Sequence, residues 1–381
     1  FQTNRKCLHL YVTICANAPY LSSILNNNPG MLDELMDSLM LGSTPESSAL
    51  ENELAFSCRG TNDINPIVHG FKNSKHLQIG VRDLVRNENL GVTLRAIADV
   101  AECCLRQIIA NEFSQLVEKF GTPQANDRDC DYAILTFGKV GGQEPNYHSD
   151  LNFLVVFDAD GETKHKTTSR QTSNQHFFNQ LVSKSIKQIT RPSSTGRLYD
   201  LECPIFGIQE DGLEAFSCEA LDRFFTERKT TFRSFLNLTQ ARIIHGSPEN
   251  RECIEEIVSR HIEQFEITPE VISQVIEYRM RHEVDAGRYN LKRGMGGTFE
   301  IETIAQTLYL KHFNRGAVKR VSSTMKMLTR LSGCRDLDIT DASHLVSSYG
   351  FLRRIESCLR LMDLPKRHSL PLHEPIEATT I

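Results

Sequence analysis

The sequence has no tryptophan, no long apolar run and no C-x-x-C pair. A helix that spans a membrane needs about 18 to 20 consecutive apolar residues, so we expect no membrane partner. The chain does not open with the basic, apolar and small-residue segments of a signal peptide, and we predict a cytoplasmic protein. The eleven cysteines are an odd number. Without metal-ligand spacing, they favour buried thiols in a reducing compartment over a zinc or disulfide site.

The chain also lacks a strong excess of charge of either sign. A net charge of -5 and a pI near 6.3 give no overall attraction to nucleic acid, and we predict no nucleic-acid partner. With 40% hydrophobic and 24% charged residues, the composition is that of a folded globular protein. Its 381 residues suggest two or three domains, at about 150 residues each. Because the chain starts at Phe1 without Met, we expect a piece of a longer protein.

The first 120 residues have the apolar spacing of helices. The clearest case runs from Ile97 to Phe120, where apolar residues recur every three or four positions. Gly121 and Pro123 follow at once, and both residue types end helices. We interpret this face as core.

The apolar period changes after Gly121. Tyr132–Phe137 and Leu151–Phe157 are short, apolar and partly β-branched, which predicts central strands. Helical spacing returns from Ser173 to Thr190, with Ser173 as the N-cap. A third short strand is predicted at Arg197–Leu201, and beyond about Cys218 the pattern is helical again.

These segments predict an α+β fold with three units. A helical region (residues 1–120) would pack on a mixed-sheet domain (residues 121–247), and a helical bundle (residues 248–381) would follow.

A glycine-rich segment joins the two predicted strands. It reads G-K-V-G-G-Q-E from Gly138 to Glu144. Adjacent glycines allow backbone amides to approach a phosphate closely, because no side chain keeps the ligand away. Such pairs more often form tight turns, and that alternative stays open here.

Oxygen-bearing side chains follow the glycines. Alternation along a strand places Asp150 and Asn152 on one face, and Asp200 lies in the predicted neighbouring strand. Hard cations such as Mg²⁺ prefer oxygen ligands, so the three could hold a metal bound to a nucleotide. The alternative is that this is a solvated strand end, where the Asp150 side chain only caps the loop. The order of strands, loop and helix is that of a nucleotidyltransferase (polymerase-beta-like) palm.

The sequence resembles the glutamine synthetase adenylyltransferase family, the bifunctional enzymes that attach AMP to glutamine synthetase and remove it. Four family patterns have counterparts in the same order: G-K-x-G-G-x-E-L-x-x-x-S-D-x-D at Gly138–Asn152, V-D-x-R-L-R-P-x-G at Tyr199–Gly207, A-R-x-x-x-G at Ala241–Gly246, and K-x-x-x-G-G-x-x-(D/E)-I-E-F at Lys292–Glu302 and the residue after it. The segments Ala18–Leu21 and Asn290–Arg293 are more similar to the C-terminal, adenylylating half of such enzymes.

The resemblance implies a site, cofactors and partners. Asp150, Asn152 and Asp200 would take the catalytic, metal-binding positions, with Mg²⁺ and ATP as cofactors. Glu302 would face the same cleft, or else be an exposed helix carboxylate. The implied acceptor is a tyrosine of glutamine synthetase, in the regulation of nitrogen metabolism, and a PII-type signal protein is a further implied partner. The implied nucleotide-binding residues are Gly138, Lys139, Gly141, Gly142 and Ser149.

Several residues depart from the family pattern, and three of them stand at positions that matter for catalysis. Asn152 stands where the family has a second Asp, so it brings an amide oxygen without a charge. Glu202 and Pro204 stand where the family has arginines that could neutralise phosphates. The alternative to an active enzyme is therefore a degenerate domain that binds nucleotide, glutamine synthetase or a PII-type protein without turnover. A third, more distant hypothesis is a nucleotidyltransferase that acts on another protein or on a small-molecule acceptor.

Overall fold

The computed structural model describes residues 5–31, 46–86, 88–165, 171–193, 196–201, 215–227, 231–284, 286–287, 289–313, 320–364 and 368–370. Within these ranges, the helices before the first strand are α1 (Arg5–Asn17), α2 (Pro19–Asn27), α3 (Ser47–Ser57), α4 (Asn65–Arg86) and α5 (Leu90–Phe120). The N-terminal region is therefore helical, as predicted.

Helix α5 shows why the sequence folds in this way. It begins after Asn89, whose side-chain oxygen accepts a hydrogen bond from the amide of Gly91 at 2.9 Å. It ends at Gly121, whose φ of +88° lies in the left-handed region that glycine adopts without strain. The helix that the apolar spacing predicted up to Phe120 is confirmed.

A four-stranded mixed sheet occupies the middle of the chain. Its strands are β3 (Tyr132–Phe137), β4 (Asn152–Phe157), β6 (Phe216–Ser217) and β7 (Arg242–His245). The strand order is β6-β4-β3-β7, in which β4 and β6 are parallel and the other neighbours are antiparallel. A smaller antiparallel sheet has the order β2-β1-β5, with β1 (Thr122–Ala125), β2 (Arg128–Asp129) and β5 (Thr163–Lys164).

Side-chain alternation gives the larger sheet two buried faces. Ile134 and Val155 belong to a core shared with the N-terminal helices, whereas Leu135 and Leu154 belong to a second core with later helices. Burial on both faces explains why these strands read as continuous apolar runs. The sheet is thereby fixed between the two helical regions.

The remaining helices of the described chain are α6 (Gly138–Gly141), α7 (Asn174–Thr190), α8 (Cys218–Thr226), α9 (Phe232–Thr239), α10 (Pro248–Gln264), α11 (Pro269–Val284), α12 (Thr298–His312), α13 (Thr324–Leu331) and α14 (Ile339–Leu361). Helices α12, α13 and α14 share a third core around Tyr309, Met327 and Tyr349. No helix in the described ranges is both long and apolar enough to cross a membrane.

The α+β class and the two central strands are confirmed, although β4 starts at Asn152, one residue after the predicted Leu151. The N-cap at Ser173 is also confirmed, since its hydroxyl accepts from the amide of His176 at 3.2 Å. The strand predicted at Arg197–Leu201 is wrong. That segment is irregular, and it contacts the start of β4 through the hydrogen bond from Leu151 N to Asp200 O at 2.9 Å.

A second correction concerns the chain after Cys218, which we predicted to be helical throughout. It contains strand β7 (Arg242–His245), which lies beside β3 at one edge of the sheet. Only four residues long, this strand is too short to show a period of its own between two helices.

Candidate functional site

The glycine-rich segment begins where β3 ends. Phe137 pairs with Asn152 across the sheet, so Gly138 lies beside the first residue of β4. Gly138 has a φ of +58°, and among the described residues a Cβ added to it would meet one atom within 4 Å, Asn152 Nδ2 at 3.7 Å. This part of the chain therefore leaves room for a ligand to approach the backbone of Gly138.

The next two glycines approach protein backbone. A Cβ on Gly141 would lie 2.1 Å from Gln240 O and 2.6 Å from Thr136 O, and one on Gly142 would lie 3.2 Å from Ser322 O. Both residues are buried. Close packing alone therefore accounts for glycine at 141, and its role as part of a phosphate loop stays a prediction.

Arg242 of β7 donates hydrogen bonds to the backbone of the glycine-rich loop. Its Nε donates to Gly141 O at 3.1 Å and its Nη2 donates to Val140 O at 3.2 Å. The same guanidinium pairs with the buried carboxylate of Glu102 on α5. Because its carbonyls are bound by a charge that is itself anchored, the short helix α6 has a fixed orientation.

Lys139 points towards the C-terminal helices. Its ammonium group pairs with Glu302 of α12 and lies 3.3 Å from the hydroxyl of Tyr349 on α14. Burial lowers the pKa of Lys139, and the charge of Glu302 opposes that shift. Of the two interpretations of Glu302, the structure supports contact with the loop, because its side chain is only 14% exposed.

Glu144, the last residue of the glycine-rich loop, belongs to a buried hydrogen-bond network. Its Oε1 accepts from Ser323 Oγ at 2.6 Å, and its Oε2 accepts from Tyr349 OH at 2.9 Å. Arg353 of α14 donates to the Glu144 carbonyl and to the Glu356 carboxylate. Burial opposes the charge of Glu356, but Arg353 outweighs it and holds the pKa of Glu356 well below its usual range. The network ties the loop rigidly to the C-terminal helices.

Ser149 belongs to the turn that leads into β4. Its hydroxyl accepts from the amide of Asn146 at 2.7 Å, and its own amide donates to Asn146 O at 3.0 Å. This reciprocal pair orients the chain just before Asp150. A direct contact between Ser149 and a nucleotide stays a prediction.

The three predicted metal ligands lie on neighbouring segments. The hydrogen bond from Leu151 N to Asp200 O brings the Asp200 segment alongside the start of β4, where Asp150 and Asn152 lie. Asp200 pairs with Arg197 at 3.4 Å and is about half exposed. Asp150 attracts Arg360 of α14. Glu202 and Pro204, which depart from the family pattern, lie outside the described residues.

The donor set fits one hard cation that shares its ligands with a nucleotide. Asn152 Oδ1 is buried and has no hydrogen-bond partner among the residues that the structure describes. A buried amide oxygen without a partner is costly, and a cation would satisfy it. Within the same ranges, no three His, Cys, Asp or Glu side chains come together as a metal site. The buried amide oxygen of Asn152 therefore suits a cation ligand, and shared binding by Asp150, Asn152 and Asp200 stays a prediction.

Sequence reasoning missed a cluster of rings beside this site. The Tyr20 ring lies 4.5 Å from that of His148 and 5.7 Å from that of Tyr147, and its hydroxyl is 2.8 Å from His76 Nδ1. Burial, Lys72 and Arg360 lower the pKa of His148 to about 4, so this ring is neutral near pH 7. The residues come from α2, α4 and the loop, and only His148 and Tyr147 stood inside a recognised motif.

Two family profiles match successive parts of the chain. The sequence profile of the family described as glutamate-ammonia ligase adenylyltransferase matches residues 8–257, and that of GlnD PII-uridylyltransferase matches residues 270–379. Similar curated proteins are named bifunctional glutamine synthetase adenylyltransferase/adenylyl-removing enzyme. The one from Pseudomonas putida is 24% identical in an alignment of 376 positions that covers 96% of this chain and 38% of the relative. The one from Hahella chejuensis is 25% identical in an alignment of 411 positions, gaps included, that covers 96% of this chain and 42% of the relative. The chain thus spans about two fifths of the length of these relatives.

Proposed function

Because the chain belongs to the glutamate-ammonia ligase adenylyltransferase family, we propose that it binds Mg²⁺ and ATP and transfers AMP to a tyrosine of glutamine synthetase. Residues 121–247 would form a nucleotidyltransferase unit of the polymerase-beta type. Residues 1–120 and 248–381 would be the helical regions that flank it. The observation that carries the proposal is Asn152 Oδ1, which is buried beside Gly138 and has no hydrogen-bond partner among the described residues.

The residues have separate roles in this proposal. Asp150, Asn152 and Asp200 hold the cation through oxygen atoms, and Gly138 presents its backbone to the phosphates. Arg242 and Glu144 keep the loop in place from opposite sides. Most of the catalysis would come from positioning the phosphates and neutralising their charge. When bound, Mg²⁺ supplies the charge that polarises the α-phosphate and offsets the pyrophosphate leaving group.

A binding domain without turnover is the second candidate. It is favoured by Lys139, whose ammonium group is bound by Glu302 and Tyr349 rather than directed at a phosphate. A PII-type partner belongs to this candidate as well, because residues 270–379 match the profile of the PII-uridylyltransferase family. Both candidates share one fold, so only chemistry separates them.

The deciding experiment compares the parent with Asn152→Asp and Asp150→Ala at fixed Mg²⁺. Calorimetry would measure ATP affinity, and labelled AMP incorporated into glutamine synthetase would measure transfer. We expect Asn152→Asp to tighten Mg²⁺·ATP binding and raise transfer, because it adds a negative charge next to the metal. We expect Asp150→Ala to abolish both.

Asp160→Ala is the matched control, since this carboxylate is exposed and lies three residues beyond the end of β4. It should behave as the parent. If the parent, Asn152→Asp and Asp150→Ala were inactive and indistinguishable, the transferase proposal would be wrong and the binding-only candidate would stand.

A further inference from the structure

Lys72 of helix α4 lies against the segment that carries Asp200. Its ammonium group donates to the carbonyl of Leu198 and lies 4.4 Å from the centre of the Tyr199 ring. Both contacts are to residues within two positions of Asp200. The cation is therefore beside one of the predicted metal ligands, although it comes from the N-terminal helices.

Lys72 has no carboxylate within ion-pair distance in the described part of the chain. An ammonium group has three N–H donors, and the Leu198 carbonyl takes one of them. Lys72 is partly buried, so its remaining donors can meet a ligand from solvent, and a partly desolvated cation favours a nearby anion. Burial lowers the pKa of Lys72 to about 8, and the charge of Asp200 opposes that shift.

Two imidazoles lie near Lys72, and each has a ring nitrogen that could donate a hydrogen bond to an anion. His76, on the same helix, is fully buried, and its Nε2 has no hydrogen-bond partner among the described residues. His148 Nε2 also lacks one there, since it lies 3.9 Å from Asp363 Oδ1, beyond hydrogen-bond distance. The described residues show no three-ligand metal group here.

We propose that Lys72 binds the phosphate chain of the nucleotide, so that the site takes a polyphosphate with one end on the metal side of Asp200 and the other on helix α4. The inference rests on the proposed function, and it adds a residue that no recognised motif contains. Lys72 neutralises the phosphates from the side opposite the glycine-rich loop. Lys139, held by Glu302, would then not be required for that charge.

The test measures the binding of Mg²⁺·ATP, inorganic tripolyphosphate and adenosine to the parent, Lys72→Met and Lys72→Arg. We expect Lys72→Met to weaken both phosphate ligands by about tenfold or more, which is the usual loss for one hydrogen bond to a charged group. Adenosine binding should not change, because adenosine has no phosphate. Lys72→Arg should recover most of the affinity, since it keeps the charge.

The control is Lys119→Met, because Lys119 also lies over an aromatic ring, 4.5 Å from the centre of Phe120, but is exposed at the end of α5. It should bind all three ligands as the parent does. Equal affinities of parent and Lys72→Met for Mg²⁺·ATP would overturn the inference while leaving the proposed function intact. If Lys72→Met weakened Mg²⁺·ATP binding as expected but the parent transferred no labelled AMP to glutamine synthetase, the inference would stand and the proposed transfer would fail. A parent that bound neither phosphate ligand would overturn both.

Discussion

Replacing Tyr349 by Phe removes one hydroxyl from the network that joins the loop to the C-terminal helices. The Tyr349 side chain is fully buried, and its hydroxyl lies 2.9 Å from both Glu144 Oε2 and Glu302 Oε1. Burial and these two carboxylates raise the pKa of Tyr349 well above its usual value, so the hydroxyl keeps its proton and donates it. A hydrogen bond to a charged group contributes about 1.5 to 3 kcal/mol, and its loss leaves a buried carboxylate oxygen unsatisfied.

We therefore expect Tyr349→Phe to lower the free energy of unfolding by about 2 to 3 kcal/mol. Thr303→Val is the matched control in the same bundle, because the Thr303 hydroxyl donates to the uncharged backbone carbonyl of Phe299 at 2.7 Å. Its loss should cost about 1 kcal/mol, the usual figure for a bond to a neutral group. Urea denaturation followed by circular dichroism gives both values. Equal losses in the two variants would refute the reasoning that charged partners make this network strong.

Two further predictions concern the loop and acid stability. Gly141→Ala should destabilise the protein by about 1 to 3 kcal/mol, because its Cβ would overlap Gln240 O. Gly350→Ala is the control, at a helical site where the new Cβ would meet no atom of the described residues within 4 Å, and it should be neutral or stabilising by up to about 1 kcal/mol. Thermal unfolding measures both variants, and equal shifts of the two melting temperatures would contradict the prediction. Glu356 has a folded pKa below its unfolded value, so its stabilising effect is present above about pH 4.3 and is lost as the pH falls through the folded pKa. The stability difference between the parent and Glu356→Gln should accordingly shrink below about pH 4, and a difference that stayed constant from pH 7 to pH 3 would contradict this assignment.

The parts of the fold that local pattern controls were predictable. The boundary at Phe120 follows from Gly121, and strand β3 was predicted with its observed bounds, Tyr132–Phe137, because a strand buried on both faces has a continuous apolar run. Strand β1 was missed because Thr122–Ala125 contains a proline and one apolar residue besides, and it exists through pairing with residues 128–129 and 163–164. Such short, paired segments have no period of their own.

The site was predictable only in its local composition. The glycines and the Asp150–Asn152 pair stand in one continuous motif, so their proximity follows from the sequence. The partners of that motif do not, because Lys139 meets Glu302 and Glu144 meets Tyr349 across 163 and 205 positions. Lys72 was missed for the same reason, since it reaches Leu198 from a helix with no recognised motif.

The central claim is that Asp150, Asn152 and Asp200 hold a metal that brings ATP to the loop. Calorimetric titration of the parent and of Asp150→Asn with ATP, each in Mg²⁺ and in EDTA, tests it most directly. We predict that the parent binds ATP only when Mg²⁺ is present, and that Asp150→Asn loses most of this Mg²⁺-dependent affinity, because one carboxylate ligand becomes a neutral amide. ATP affinity that was the same in Mg²⁺ and in EDTA, or unchanged by Asp150→Asn, would contradict the claim.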